Sequence, residues 1–180
     1  MSTTETKTTW ALDPTHSELL FKVKHLMITN VKGEFRSFDA TLESIGTDFS
    51  KARVTATVQA DSIFTNNTDR DNHLRSADFF DVENHKELTF EGSSFTKLDD
   101  DNYQLKGNLT IKGITKEISL DVEFGGIAKD PWGNEKAGFS LSGKINRKDW
   151  GLNWNAALEA GGVMVSDDVR INGEVQFVKQ

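Results

Sequence analysis

Residues 103–111 read Tyr103-Gln104-Leu105-Lys106-Gly107-Asn108-Leu109-Thr110-Ile111. Apolar residues or glycine hold the odd positions, and polar residues hold the even positions. Successive side chains of a β-strand point to opposite faces, so this alternation predicts a strand with one dry face and one wet face. The same kind of alternation recurs along the chain. It predicts eight strands, near residues 17–25, 29–44, 53–60, 87–98, 103–111, 117–124, 139–145 and 169–177.

Only one convincing helix interrupts these strands. Residues 66–80 fall between strands three and four, where Thr68 and Asp71 resemble a capping box and Asp71 and Arg75 have the spacing of a surface ion pair. A shorter turn of helix is expected at residues 156–160. Within strand two, the apolar positions change parity near Arg36-Ser37, which predicts a β-bulge that bends the strand.

One short helix cannot cover the dry face of the predicted sheet. The simplest arrangement that buries this face is therefore a sheet that closes on itself. We therefore expect an all-β fold, a closed antiparallel β-barrel of about eight strands with one short helix between strands three and four. A β-sandwich is the alternative, because alternation alone does not separate the two architectures. Residues 1–9 are predicted as a flexible N-terminus and residues 10–180 as a single domain.

Composition excludes several classes of function. The chain has 180 residues, 21 Lys and Arg, 28 Asp and Glu, and a formal net charge of -7. This balance argues against nucleic acid or an anionic membrane surface as the main partner, although it leaves room for a local basic patch. The chain has no cysteine, so disulfides, zinc–thiolate sites and a cysteine nucleophile are excluded.

The chain also lacks the signals that direct a protein into or across a membrane. No apolar run is long enough to span a bilayer, so we expect no integral membrane protein. The first ten residues contain no apolar signal-peptide core, which predicts a cytoplasmic protein, or a periplasmic one if the natural N-terminus was trimmed.

The densest polar cluster is Arg70-Asp71-Asn72-His73-Leu74-Arg75. Three interpretations remain open: His73 as a catalytic base oriented by an aspartate, charges that tie the helix to the barrel, or cations that bind the polar head of a ligand. No nucleophile motif accompanies His73, so we predict no enzyme activity. The four histidines do not have the spacing of a local metal site, so we predict no metal and no required cofactor.

The aromatic residues point to a dry interior. The chain has 12 phenylalanines and 1 tyrosine, and phenylalanine has no polar tip that needs a partner. Glycines at inward parity remove side chains from the interior, which favours a cavity or a bend. They are Gly33, Gly107, Gly143 and Gly173. An ordinary solid core remains the alternative, in which case the protein would be an interaction module without a ligand.

Several motifs together resemble one known family, the YceI-like proteins, which are polyisoprenoid-binding and lipocalin-like. The likeness runs from Trp10 to Val178 and is most specific at Arg70-Asp71-x-His73-Leu74-Arg75-Ser76-x-Asp78-Phe79-Phe80. Further matches are Asp13-Pro14-Thr15-His16-Ser17, Gly33-x-Phe35, Gly107-Asn108-Leu109-Thr110-Ile111-Lys112-Gly113, Asp130-Pro131-Trp132-Gly133, Arg147-x-Asp149-Trp150-Gly151 and Ser166-Asp167-Asp168-Val169.

The resemblance implies an extended eight-stranded antiparallel lipocalin-like β-barrel. It also implies that the barrel encloses an elongated apolar pocket, which binds a long-chain amphiphile: a polyisoprenoid, an isoprenoid quinone or a fatty-acid derivative. It also implies a possible homodimer and no settled catalytic residues, and we expect a role in transport or stress response with a bound isoprenoid or acyl-chain lipid. For the polar head we expect His25, Arg70, His73 and Arg75. For the apolar tail we expect Phe21, Val23, Phe35, Val58, Phe90, Leu105, Leu109, Leu120, Val122, Phe139, Leu141 and Ile171. A lipid-modifying enzyme that uses Arg70, Asp71 and His73 is the other alternative.

Overall fold

The computed structural model describes residues 6–155 and 164–180. Within these ranges the chain forms eleven β-strands and one α-helix. The strands are β1 Lys7–Leu12, β2 Glu18–His25, β3 Thr29–Phe35, β4 Phe38–Ile45, β5 Asp48–Gln59, β6 Ile63–Phe64, β7 Glu87–Lys97, β8 Asn102–Ile111, β9 Ile114–Lys129, β10 Glu135–Asn146 and β11 Val165–Lys179. The helix α1 is Thr68–Arg75, and short 3₁₀ turns lie at Pro14–His16, Ala60–Ser62 and Arg147–Trp150. The turn of helix expected at residues 156–160 lies outside the described residues.

The sheet closes on itself through β1, which pairs antiparallel with β4 on one side and with β11 on the other. Trp10 lies opposite Leu42 of β4 and Lys179 of β11. After β1, the chain continues as β2, which pairs with β11 on one side and with β3 on the other. β3 and β4 follow each other along one line of the sheet, just as β1 and β2 do. Short β6 continues the line of β5 beside β3. Counted with these interruptions joined, the barrel has eight antiparallel strands. The predicted closed barrel is confirmed, and the sandwich alternative is wrong.

Two strand boundaries differ from the expectation. Residues 7–9, predicted as part of a flexible N-terminus, begin β1, where Thr8 and Trp10 are buried. Threonines made this segment look polar, although Thr8, Trp10 and Leu12 alternate inward. The predicted second strand is two strands, β3 and β4, separated at Arg36-Ser37. The parity switch therefore marks a full interruption of the strand where a bulge was expected.

Asp13 fixes the kink between β1 and β2. Its carboxylate accepts hydrogen bonds from the backbone N–H and the hydroxyl of Thr15, and Lys136 Nζ of β10 lies 2.8 Å from its Oδ2. The backbone N–H of Asp13 donates to the carbonyl of Gln176 in β11. Lys136 and the hydrogen bonds from Thr15 hold the pKa of Asp13 well below its usual range. Asp13 thus fastens the interrupted strand to β10 through its carboxylate and to β11 through its backbone N–H.

Aromatic rings fill one end of the barrel, the end that carries the turns between β4 and β5 and between β7 and β8. Trp10 and Phe49 are almost fully buried, with ring centroids 5.6 Å apart, and Phe49 packs edge-on against Phe139 at 5.2 Å. The Trp10 indole N–H donates to Ser44 Oγ at 2.9 Å. We call this group the aromatic plug: Trp10, Phe49, Phe95, Tyr103, Phe124, Phe139 and Phe177.

We predict that Asp13→Asn lowers the free energy of unfolding at neutral pH by about 2 kcal/mol, because hydrogen bonds to a charged group are lost. The pKa of Asp13 is lowered in the folded state, so its stabilisation is complete above the unfolded pKa of about 3.9. It is lost as the pH falls from there toward the folded pKa. Denaturant unfolding of both proteins from neutral to acid pH should show the difference narrowing below about pH 4.

Asp100→Asn, in an exposed turn, is the matched control and should change stability by less than about 0.5 kcal/mol. A difference between wild type and Asp13→Asn that stays constant down to the acid range would contradict the role of the Asp13 carboxylate.

Candidate functional site

The barrel interior holds a cavity of about 640 Å³ beyond the aromatic plug. All eleven strands contribute side chains to its wall, together with α1 and the segment after β10. It extends from Phe139 and Phe177, at the plug, to His73 and Arg147 at the other end of the barrel. A volume of this size is typical of small-molecule sites. The described interior is therefore not the solid core of the alternative interpretation.

The structure brings the twelve predicted tail residues together on this wall. All of them line the cavity, since each has the inward parity of its strand: Phe21, Val23, Phe35, Val58, Phe90, Leu105, Leu109, Leu120, Val122, Phe139, Leu141 and Ile171. Their contact with a ligand stays a prediction. Leu88, Ile118 and Val175 share that parity and also line the wall, although they were not among the twelve residues predicted for the tail. Trp154 lines the wall as well, and alternation could not identify it because it lies outside any strand.

Inward glycines let large side chains lie flat against the wall. Gly33 lies directly opposite Phe21, and the phenylalanine ring occupies the space that a Cβ of residue 33 would need. At Gly143, a Cβ would lie 2.5 Å from Cδ2 of Leu120. Both side chains therefore cover neighbouring backbone instead of projecting to the barrel axis, which leaves the axis open. The two remaining inward glycines, Gly107 and Gly173, are covered in the same way by Phe90 and Leu141.

Polar side chains in the described wall gather at the end opposite the plug. Lys24 and His25 lie at the end of β2, Asp69, Arg70 and His73 belong to α1, and Arg147 follows β10. The opposite half of the wall is built from the apolar faces of the strands. The cavity is therefore apolar along its length and polar at one end.

The local structure of α1 differs from the predicted capping and pairing. Asn67, not Thr68, is the N-cap, and its Oδ1 accepts the backbone N–H of Arg70 at 3.0 Å. Asp71 is 4% exposed and accepts the backbone N–H and the hydroxyl of Thr65, so it forms no surface pair with Arg75. A carboxylate that points into the protein finds a buried hydrogen-bond donor, a tertiary contact that helical spacing alone does not reveal.

The two predicted arginines of the cluster have different surroundings. Arg70 lines the cavity while its Nε donates to Thr65 Oγ1 at 2.7 Å. Arg75 is not part of the described wall. Its guanidinium donates to the carbonyls of Asp61 and Ile63, which fastens α1 to β6. The structural interpretation of the cluster therefore fits Arg75, and the head-group interpretation is compatible with Arg70.

His73 lies between a carboxylate and two aromatic rings. Its Nε2 is 2.9 Å from Asp78 Oδ2, and its ring packs edge-on against Trp154 at 4.7 Å and Phe79 at 5.1 Å. Asp71, the base-orienting residue of the enzyme alternative, bonds to Thr65 instead. His25, the fourth predicted head residue, also lines the wall. Among the described residues, no three His, Asp or Glu side chains form a group that could hold a metal ion.

Arg147 is a polar wall residue that was not among the predicted site residues. It is 3% exposed, and its guanidinium donates to the carbonyls of Ser166 and Trp154, each at 2.9 Å. Burial lowers the pKa of Arg147, while the nearby Asp167 carboxylate opposes this effect. By holding the segment after β10, Arg147 keeps Trp154 against His73. Its place in the Arg147-x-Asp149-Trp150-Gly151 motif was the available signal.

Most of the chain matches one protein-family model, described as the YceI-like domain, over residues 10–177. The chain belongs to the YceI-like family. Similar curated proteins are UPF0312 proteins of Staphylococcus aureus strain N315, 44% identical over 94% of this chain and 97% of the relative, and of Staphylococcus epidermidis, 46% identical with the same coverage. The resemblance seen in the sequence motifs is thereby confirmed.

Solved structures agree with this placement in the YceI-like family. A YceI protein from Campylobacter jejuni is 38% identical, with a TM-score of 0.73 over 87% of this chain and 90% of that one. Burkholderia cenocepacia BcnA has a TM-score of 0.77 at 19% identity, covering 92% and 98%. A polyisoprenoid-binding domain from Saccharophagus degradans has a TM-score of 0.71 at 14% identity, covering 95% and 98%. The last two show the fold alone.

The structure adds one observation about membranes. In the described parts of the chain, no helix has the length and apolar character needed to span a bilayer. The expected homodimer and the cytoplasmic location stay predictions.

We predict that Asp71→Ala lowers the free energy of unfolding by about 2 kcal/mol, because the buried N–H and hydroxyl of Thr65 lose their acceptor. Asp69→Ala makes the same chemical change at an exposed position of α1 and should cost less than about 0.5 kcal/mol. Denaturant unfolding measures both. Equal losses in the two variants would show that Asp71 has no special structural role.

Proposed function

We propose that this YceI-like protein binds one long-chain amphiphile inside the barrel and carries or sequesters it. The observation that carries the proposal is the polarity of the cavity, which is apolar from the plug onward and polar only near α1 and the end of β2. An amphiphile has the same division along its length. Its tail lies along the twelve predicted wall residues, and its head lies among His25, Arg70 and His73.

The energetics favour a chain-like ligand. Each buried CH₂ group contributes about 0.8 kcal/mol, so a long tail gains enough to offset the cost of ordering it. Aromatic rings and leucines on the wall offer no hydrogen-bond partner to a polar tail. A polyisoprenoid, an isoprenoid quinone or a fatty-acid derivative therefore fits the wall better than a sugar or a nucleotide does.

The comparisons support the ligand class. The Saccharophagus degradans domain, which shares the fold, is described as polyisoprenoid-binding. We infer a binding protein because the Nε2 of His73 lies beside the Asp78 carboxylate and its ring packs against Phe79 and Trp154. Transport and stress response are roles that such a carrier can fill.

We predict that protein purified without detergent carries an isoprenoid or acyl-chain lipid, visible by native mass spectrometry and identified in an organic extract. The inward pair Ala40 and Ala56, which face each other across β4 and β5, allows the cavity to be filled. Ala40→Phe combined with Ala56→Phe should reduce the lipid-bound fraction at least about tenfold, because the new rings occupy the volume that the tail needs.

The neighbouring outward pair provides a matched control. Thr41 and Thr55 also face each other, and both are exposed. Thr41→Phe combined with Thr55→Phe adds the same rings outside the barrel and should leave the bound fraction unchanged. The proposal is refuted if no lipid is present and added polyprenyl or acyl chains do not bind, or if the filled cavity retains as much lipid as wild type.

A further inference from the structure

The turn between β2 and β3 presents three large apolar side chains to solvent. Leu26, Met27 and Ile28 are 36%, 50% and 78% exposed. We call residues 26–28 the hairpin tip. Exposed apolar side chains that occur singly are ordinary, but three in succession at the end of a projecting hairpin form a patch that fits an apolar partner.

The backbone of the hairpin tip is unfavourable for these residues. Leu26 and Met27 have φ values of 53° and 61°, and the turn is closed by a hydrogen bond from the Ile28 N–H to the His25 carbonyl. A turn with positive φ at both central residues favours asparagine and glycine. Large apolar residues therefore stand where folding alone would select small ones, and such local strain is characteristic of functional sites.

A row of cations crosses the outer face of the barrel beside the hairpin tip. Lys144 of β10 pairs in register with Arg170 of β11, Arg170 pairs with Lys22 of β2, and Lys22 pairs with Lys32 of β3. We call these four residues the cationic row. Like charges directly opposite one another on neighbouring strands repel, so this arrangement costs stability unless an anionic partner neutralises it.

Acids border the row but leave most of it without an ion pair. Between residues 19 and 33 the hairpin has three lysines and no Asp or Glu, in a chain whose net charge is -7. Glu34, two residues along β3 from Lys32, pairs with Arg36, and on the adjacent β11 Asp168 lies 3.9 Å from Lys144. Among the described residues, no acid forms an ion pair with Lys22, Lys32 or Arg170.

We propose that the hairpin tip and the cationic row dock on the surface of an anionic lipid bilayer. Lys22 precedes Leu26 by four residues, about 13 Å at 3.3 Å per residue. When the tip enters the boundary between headgroups and acyl chains, which lies about 5–10 Å deep, the row faces the headgroups. A protein partner would also fit an apolar patch, but a straight row of cations is matched more simply by a sheet of anionic headgroups.

The docking surface is continuous with the cavity. Val23, His25 and Val31 of the same hairpin point inward and line the wall. A docked hairpin therefore places the polar end of the cavity at the membrane surface, where an amphiphile can enter or leave without crossing bulk water. This transfer role rests on the proposed function, whereas the docking itself is measured independently of any cargo.

The test is co-sedimentation of the full chain with vesicles of phosphatidylcholine, with and without phosphatidylglycerol. We expect binding to the anionic vesicles only. Replacing Lys22, Lys32 and Arg170 with glutamine should weaken that binding roughly a hundredfold, since each cation near the surface contributes about fivefold. Leu26→Asn, Met27→Gly and Ile28→Ser together should weaken it more than about tenfold through the lost apolar insertion.

Matched variants separate this surface from general stickiness. Leu98→Ser with Trp132→Ser removes exposed apolar side chains at the opposite end of the barrel, and glutamine at Lys97, Lys106 and Lys129 removes three exposed lysines from other strands. Both should bind as wild type does, because these residues lie away from the docked face. The tip variant should keep its fold, since Asn-Gly suits this turn, and a thermal melt checks it.

Three results would overturn the proposal: no binding to anionic vesicles, equal binding by the tip or row variants, or a dimer without vesicles that the tip variant abolishes. The last result would make the tip a contact between two copies of the chain. Vesicle binding by a protein that neither carries lipid nor binds added polyprenyl or acyl chains would refute the proposed function alone. Cargo without vesicle binding would refute only the docking.

Discussion

The rest of the structure depends on the hydrogen bonding of β1 to both β4 and β11. This short strand joins the first and last parts of the sheet, with Leu12 opposite Phe177, and turns an open sheet into a closed wall. Closure gives every inward side chain a partner across the axis and separates the interior from water. Asp13 extends the closure by fastening the chain to β10 and β11 where β1 gives way to β2. An open sheet with the same apolar face would instead need a second layer to cover it.

A closed eight-stranded barrel can be solid or hollow, and two kinds of residue decide the outcome here. Large aromatic side chains fill one end, where Trp10, Phe49 and Phe139 pack together. Farther along, glycines such as Gly33 let neighbouring rings lie along the wall, so the axis stays open. The same alternating pattern therefore produces a plug at one end and a cavity along the rest. Polar groups from α1 and from the end of β2 lie at one end of this cavity, so its two ends differ in polarity.

Much of the fold could be predicted because it rests on a local pattern. Alternation fixes which residues face inward, so all twelve predicted wall residues share one cavity. The missed features depend on contacts between distant parts of the chain. Thr8 is buried where it lies opposite Ser44 of β4, and Asp71 turns inward to Thr65. Arg147 donates to carbonyls that include those of Leu152 and Trp154, in a segment without a periodic pattern. The hairpin tip and the cationic row were not predicted either. Both depend on how neighbouring strands pair, and the sequence of one strand does not give that register.

We infer that the barrel encloses space for a single long chain with its polar head near α1. A crystal structure of the protein purified without detergent would reveal such a chain. We expect continuous elongated density along the axis, from Phe139 at the plug to the surroundings of His73 and Arg70. Density that shows wall side chains collapsed across the axis, with no space for a chain, would contradict it.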